Sequence, residues 1–252
     1  MCYNIITVKD RERRGATVQR KDLIKLRNYY LIIDTETANG YMKGDKLNLQ
    51  DSLVYDCGYA IIDKKGRVYE SASWVVGEVF LNEIDMMNSA YYAEKIPQYW
   101  IDLHNHTRIF TNICELRRNV KAVCEKYKVK AIIAHNARFD VKALNNTIRY
   151  YTKSKIRYFF PHGIEVWDTL LMANILAHMP SYRTFCETNG YMTKHKTPRP
   201  RLTAEIIYRY ISGNEDFQER HTGLEDVMIE KEIFAYCNRQ HKKMKKVLYK
   251  GA

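Results

Sequence analysis

The apolar run Tyr29-Tyr30-Leu31-Ile32-Ile33 ends directly in Asp34-Thr35-Glu36, and no other feature restricts the fold of this chain more. A run of this kind reads as a buried strand, and side chains two apart on a strand share one face. Two carboxylates therefore project together from the edge of a hydrophobic core. Adjacent negative charges there are costly unless something cationic compensates them, so the pair asks for a bound metal. Magnesium and manganese fit, because both are hard ions that take oxygen ligands. The string Asp-x-Glu alone would equally suit an exposed turn with two solvated acids. The choice between the two is made further along the chain.

Val129-Lys130-Ala131-Ile132-Ile133-Ala134-His135 reads as a second buried strand, followed by Asn136-Ala137-Arg138-Phe139-Asp140 and the helical spacing of Val141, Leu144 and Ile148. Asn136 is expected to cap that helix, which puts Asp140 in its first turn. An acid there complements the helix dipole and lies near the carboxyl end of a strand, where open α/β sheets place their ligands. In Arg220-His221-Thr222-Gly223-Leu224-Glu225-Asp226-Val227, Thr222 and Glu225 have the spacing of a capping box. A helix is therefore expected to begin at Thr222, with His221 before the cap and Asp226 fourth in the helix, the positions that meet in a hydrophobic staple. An imidazole and a carboxylate pack poorly there. They suit chemistry better, since a histidine beside an attacking water can take its proton, an effect of roughly 10² to 10⁴ in rate. A surface histidine paired with an acid is the plainer alternative.

Taken in order, Asp34 with Glu36, then Asp140, then His221 with Asp226 resemble the three motifs of the DEDDh 3′-5′ exonucleases, the DnaQ-like branch of the ribonuclease H-like superfamily. The resemblance spans roughly residues 29 to 238 and includes the strings Ile33-Asp34-Thr35-Glu36-Thr37 and Ala134-His135-Asn136-Ala137-Arg138-Phe139-Asp140. It implies that Asp34, Glu36, Asp140 and Asp226 hold two divalent cations, Mg²⁺ or Mn²⁺, and that His221 is the general base. The reaction it implies is hydrolysis of the terminal phosphodiester at the 3′ end of single-stranded nucleic acid, with DNA favoured and an RNA-specific 3′ exoribonuclease as the alternative, releasing nucleoside 5′-monophosphates. Thr37, Ala38 and Asn39, just after the first motif, are then expected to meet the terminal nucleotide, with Asn136 nearby. Relatives often carry Ala where Gly223 stands. A proofreading, repair or RNA-trimming role follows, with room for a polymerase or replication partner. The rival is a nucleic-acid-binding or partner-binding protein on the same scaffold. Four acids that would repel a phosphate without metal speak against it.

At 252 residues the chain suffices for one sizeable core with elaborations and leaves no room for a polymerase domain. Its six cysteines form no C-x-x-C pair, no secretory signal opens it, and no apolar run reaches membrane-spanning length. A reducing bacterial or phage-infected cytoplasm is expected. His104, His106, Cys114 and Cys124 match no usual zinc spacing. Tyr55 to Ile62 and Arg67 to Val76 read as strands joined by the turn Asp63-Lys64-Lys65-Gly66. Phe80 to Tyr127 reads as mainly helical, with Pro97 as a break and Ile109, Ile113, Leu116, Val120 and Val123 on one apolar face. A strand near Gly163 to Trp167 precedes a helix capped by Asp168 and ended by Pro180, and another helix runs from Thr203 to Ile211. This alternation argues an α/β layer structure, which the resemblance refines to a ribonuclease H-like fold, a central mixed sheet flanked by helices.

The net charge of +12 lies at the ends, since residues 1–28 carry eight Lys or Arg against three acids and residues 239–252 carry six against none. We therefore divide the chain into a basic N-terminal extension (1–28), an exonuclease-like domain (29–238) and a basic C-terminal tail (239–252). Such ends either contact phosphate backbones without reading sequence or remain solvated. A third basic stretch, Lys194 to Arg201, is marked as a loop by its two prolines, and Lys194, Lys196, Arg199 and Arg201 are expected to grip substrate phosphates. Among 20 tyrosines, Tyr91, Tyr92 and Tyr158, with Phe159, fall in linking regions where rings can stack on bases.

Overall fold

The computed structural model describes residues 28–43 and 46–250, and the side chains of these except at 40–50. The N-terminal extension lies outside the described residues apart from Asn28. One mixed seven-stranded sheet runs through the molecule in the order β4-β3-β2-β1-β5-β6-β7, with β1 at Tyr29–Lys43, β2 at Lys46–Asp63, β3 at Val68–Val76, β4 at Ile109–Thr111, β5 at Ala131–Ala134, β6 at Glu165–Asp168 and β7 at Val247–Tyr249. The first three strands form an antiparallel meander, β5 and β6 continue parallel to β1, and β4 and β7 complete the edges. Gly66 turns the β2–β3 hairpin at φ +79°, a conformation that suits glycine.

Alternation along β1 feeds two cores. Tyr29, Leu31 and Ile33 face the helices α4 (Ile113–Tyr127) and α5 (Arg138–Thr152) through Leu116, Val120, Leu144 and Ile148. Tyr30 and Ile32 face α6 (Thr169–Ala177) and α9 (Gly223–Arg239) through Met172, Leu176, Ile233 and Phe234. Before α4 come the short α1 (Gly77–Asn82) and α2 (Ile84–Asn88), a 3₁₀ turn at Ala93–Lys95 and α3 (Ile96–His104). Between α6 and α9 lie α7 (Pro180–Thr188) and α8 (Ala204–Ser212). No helix among the described residues is long and apolar enough to cross a membrane.

Several local expectations need correction. Ile109 belongs to the edge strand β4 and is 57 % exposed; the buried face of α4 starts at Ile113, after Asn112, whose side chain caps the helix by accepting from the Glu115 N–H at 2.8 Å. Pro97 opens α3 instead of breaking a helix, as proline's fixed φ and missing N–H allow in a first turn, whereas α6 ends at Ala177, ahead of Pro180 as expected, and Pro180 opens α7. Residues 247–249 of the basic C-terminal stretch add strand β7 to the sheet, where Lys246 lies 4.0 Å over the Trp167 ring and its carbonyl accepts from the Asp168 N–H.

Candidate active site

A cleft of about 1150 Å³ opens beside the middle of β1 and at the carboxyl end of β5 and is lined by Asp34, Glu36, Asp140, His221 and Asp226, together with Glu219 and Glu230. Asp34 and Glu36 share the parity of Tyr30 and Ile32, so both lie on the α9 side of β1. Thr35 points the opposite way and donates to Asp140 Oδ1 at 2.8 Å, tying the first turn of α5 to the strand. Asp140 and Asp226 are 3 % and 4 % exposed. Glu36, His221 and Asp226 offer ligand atoms within 4.8 Å of one another, and so do Glu205, Glu219 and His221.

The backbone that delivers these groups departs from the expected caps. Asn136 is not the N-cap of α5; Ala137 is. Asn136 takes the left-handed conformation at φ +62°, tolerated by asparagine, because its N–H is held by Asp168 Oδ1 at 3.0 Å. The same Asp168 oxygen caps α6 through the Leu170 N–H at 2.8 Å. Thr222 is the N-cap of α9, yet its hydroxyl donates to the Glu225 carboxylate and no capping box forms. The Gly223 N–H is satisfied instead by Asp56 Oδ2 of β2 at 2.9 Å. Asp56 is fully buried and also receives the Tyr99 hydroxyl at 2.7 Å and the Arg108 guanidinium at 3.0 Å. Arg108 reaches on to Asp102 and to Glu225, which draws Glu225 away from the cap. The glycine at 223 has its own cause: a Cβ there would stand 2.5 Å from the Gly58 amide nitrogen.

His221, at φ +52°, stacks flat on Tyr92 with ring centroids 4.3 Å apart and planes 11° from parallel. Lys95 lies over the same tyrosine ring and donates to the Arg220 carbonyl. Burial and the Lys95 charge hold the His221 imidazole below the usual histidine range, which keeps it neutral and able to accept a proton. Burial raises the carboxyls as well. Asp34 stands well above the ordinary range from burial and then the charges of Glu230, Asp140, Glu36 and Asp226. Burial, followed by the Asp226 charge, pushes Glu36 up to about 9. Asp226 reaches about 8 through burial and the Glu219 charge, and Asp140 about 7, mainly through burial. So many carboxyls held away from ionisation form a site that a hard cation would relieve, and two buried oxygens, Asp226 Oδ1 and Glu230 Oε2, have no hydrogen-bond partner. An all-oxygen donor set fits Mg²⁺ or Mn²⁺.

The remaining expected residues divide. Thr37, Asn39 and Asn136 line the cleft, whereas the Ala38 side chain is fully buried in the core and leaves only backbone for a substrate. Arg199 and Arg201 line the cleft, joined by Thr193 and His195, while Lys194 and Lys196 are exposed outside it. Tyr91, 78 % exposed, and Tyr92 reach the lining; Tyr158 and Phe159 do not. Among the described residues no cluster of potential metal ligands includes His104, His106, Cys114 or Cys124. Glu230, Glu219 and Lys95 were not singled out by the sequence motifs, and Tyr92, expected to stack on bases, stacks on His221. For Glu230 a signal existed, since it follows Asp226 by four residues on one helix face.

The sequence matches no family model and no curated protein. Solved structures do resemble the fold. The nuclease domain of 3′hExo, described as a DEDDh family member and bound to rAMP, superposes with a TM-score of 0.59 at 10 % identity, covering 89 % of this chain and 98 % of that one. A full-length 3′-exonuclease gives 0.54 at 11 % identity over 87 % and 85 % of the two chains. Cell-death related nuclease 4 gives 0.52 at 12 % identity, with 87 % of this chain and 67 % of the other covered. The chain thus has the ribonuclease H-like fold of DEDDh exonuclease structures.

Proposed function

We propose that this protein is a metal-dependent 3′-5′ exonuclease that hydrolyses the terminal phosphodiester of single-stranded nucleic acid and releases nucleoside 5′-monophosphates. The observation that carries the reading is the convergence of Asp34, Glu36, Asp140 and Asp226 with the neutral, stacked His221 in one cleft. In this reading the four acids hold two divalent cations. Such a pair supplies charge stabilisation to the attacking and leaving oxygens of an in-line displacement. His221 accepts the proton of the attacking water, and the Tyr92 face fixes the imidazole plane while it does so. Arg199 and Arg201 draw phosphates into the cleft, with Lys194 and Lys196 adding long-range attraction. Thr37, the Ala38 backbone, Asn39 and Asn136 bear on the terminal nucleotide. The rAMP found on the 3′hExo nuclease domain supports a nucleoside monophosphate as the leaving product, and it gives RNA a place beside DNA as substrate.

The test is digestion of 5′-labelled single-stranded DNA and RNA of one sequence with Mg²⁺ or Mn²⁺. Stepwise shortening from the 3′ end, abolished by EDTA and by Asp34→Ala or His221→Ala, supports the reading and ranks the two polymers. Binding without shortening of either polymer would replace it with a scaffold role.

A further inference from the structure

Glu230 sits one helical turn beyond Asp226 on the same face of α9 and is 3 % exposed. One of its oxygens, Oε1, accepts from the His135 N–H at 3.1 Å, which fixes the carboxylate at the end of β5. The other, Oε2, is buried without any hydrogen-bond partner and belongs to a residue that lines the cleft. Asp226 Oδ1, one turn away, is orphaned in the same manner. Among the charges that bear on Asp34, that of Glu230 is the strongest. A buried, unpaired carboxylate oxygen on a group that feels the charges of Asp140 and Asp226 is a large electrostatic cost with no structural return.

His135 explains why Oε1 is spoken for while Oε2 is left over. Its Nε2 faces the Leu202 carbonyl at 2.8 Å and must carry the proton, so its Nδ1 accepts from Thr169 Oγ1 at 2.9 Å. That pair of bonds locks the peptide that grips Glu230. A rigidly held carboxylate with one unpartnered oxygen, on a residue that lines the cleft, has the form of a ligand.

We propose that Glu230 is a fifth carboxylate of the divalent-cation site, contributing Oε2 to a cation bound in the cleft. The inference rests on the two-cation reading above. It differs from the motif set, which places four acids and one histidine at the site and leaves position 230 without a role.

Mn²⁺ binding to the EDTA-stripped full chain, followed by electron paramagnetic resonance and calorimetry, tests it with wild type, Glu230→Gln and the control Asp226→Asn. Metal-free melting temperatures are measured in parallel. Glutamine keeps an oxygen for the His135 N–H, so Glu230→Gln should fold and melt no lower than wild type while binding Mn²⁺ about 10 to 100-fold more weakly. Mn²⁺ affinity within twofold of wild type overturns the proposal, as does a fall in the metal-free melting temperature, which would assign Glu230 to packing. Should wild type itself bind no Mn²⁺ at millimolar concentration, the two-cation reading falls and Glu230 with it. Wild-type binding with an unaffected Glu230→Gln removes Glu230 alone.

Discussion

Replacing Gly58 by alanine probes the contact on which the geometry of the candidate site depends. Gly58 pairs with Asp34 across β1 and β2, and a Cβ there would lie 2.2 Å from both the Gly223 carbonyl carbon and the Leu224 amide nitrogen. Both are backbone atoms of the first turn of α9, so no side chain can swing aside. Ordinary contact begins at 3.4 Å, and the helix start must retreat by about 1.2 Å. Overpacking typically costs 1–3 kcal/mol, and a clash with backbone on two atoms belongs at the upper end, about 3 kcal/mol. At 2–4 °C per kcal/mol for a chain of this size, the melting temperature should fall by about 6–12 °C. His221 and Asp226 travel with that turn, and a misplacement of about 1 Å can cost 10²-fold in rate. Scanning calorimetry and single-turnover digestion of labelled oligonucleotide read the two effects. A variant that melts within 2 °C of wild type with undiminished turnover would refute the packing of α9 on β2 as described.

Three further outcomes are expected. Arg108→Met leaves the fully buried Asp56 carboxylate without its cation and should cost about 3–5 kcal/mol, seen as a lower urea midpoint; a loss under 1 kcal/mol contradicts the hub drawn around Asp56. Without metal, folded carboxyls at about 7 (Asp140), 8 (Asp226) and 9 (Glu36) keep protons that the unfolded chain has released, so stability must fall as pH rises from 7 to 9. The lowered histidines, His135 and His221, act only below about pH 6.5 and do not disturb this window. Melting in EDTA at pH 7 and 9 reads the sign, Mg²⁺ should flatten the slope, and a metal-free stability that rises over the interval excludes this charge pattern. Arg199→Ala with Arg201→Ala should raise KM at low salt more than Lys194→Ala with Lys196→Ala, because only the arginines line the cleft; equal effects would reduce the loop to a diffuse charge.

How far the molecule could be read from its residues depended on the range of each interaction. The Tyr29 to Ile33 run and the strand Ala131–Ala134 were legible because a buried strand carries its pattern locally, and the helix spacing after Asp140 did so for α5. Strand β4 was not, since three residues give no period and Ile109 happens to fall in phase with α4. The cap misplaced at Asn136 and the capping box that does not form at Thr222, itself the expected N-cap, have distant causes: Asp168 takes the Asn136 N–H across 32 residues, and Asp56 takes the Gly223 N–H across 167. Lys95 and Tyr92 reach His221 from a separate 3₁₀ region, so no spacing near the third motif announces them.

The short strand β7 also determines how the molecule meets other molecules. Without Val247–Tyr249, β6 would present a bare, regular edge backed by Val166 and Trp167, a ready template for strand exchange between copies. With it, the outermost strand is three residues long and preceded by the lysines at 242, 243, 245 and 246, which discourage further addition. A proteolytic cut near residue 245 would therefore turn a self-contained sheet into an adhesive one, and the first sign would be turbidity at a temperature where the intact chain stays clear.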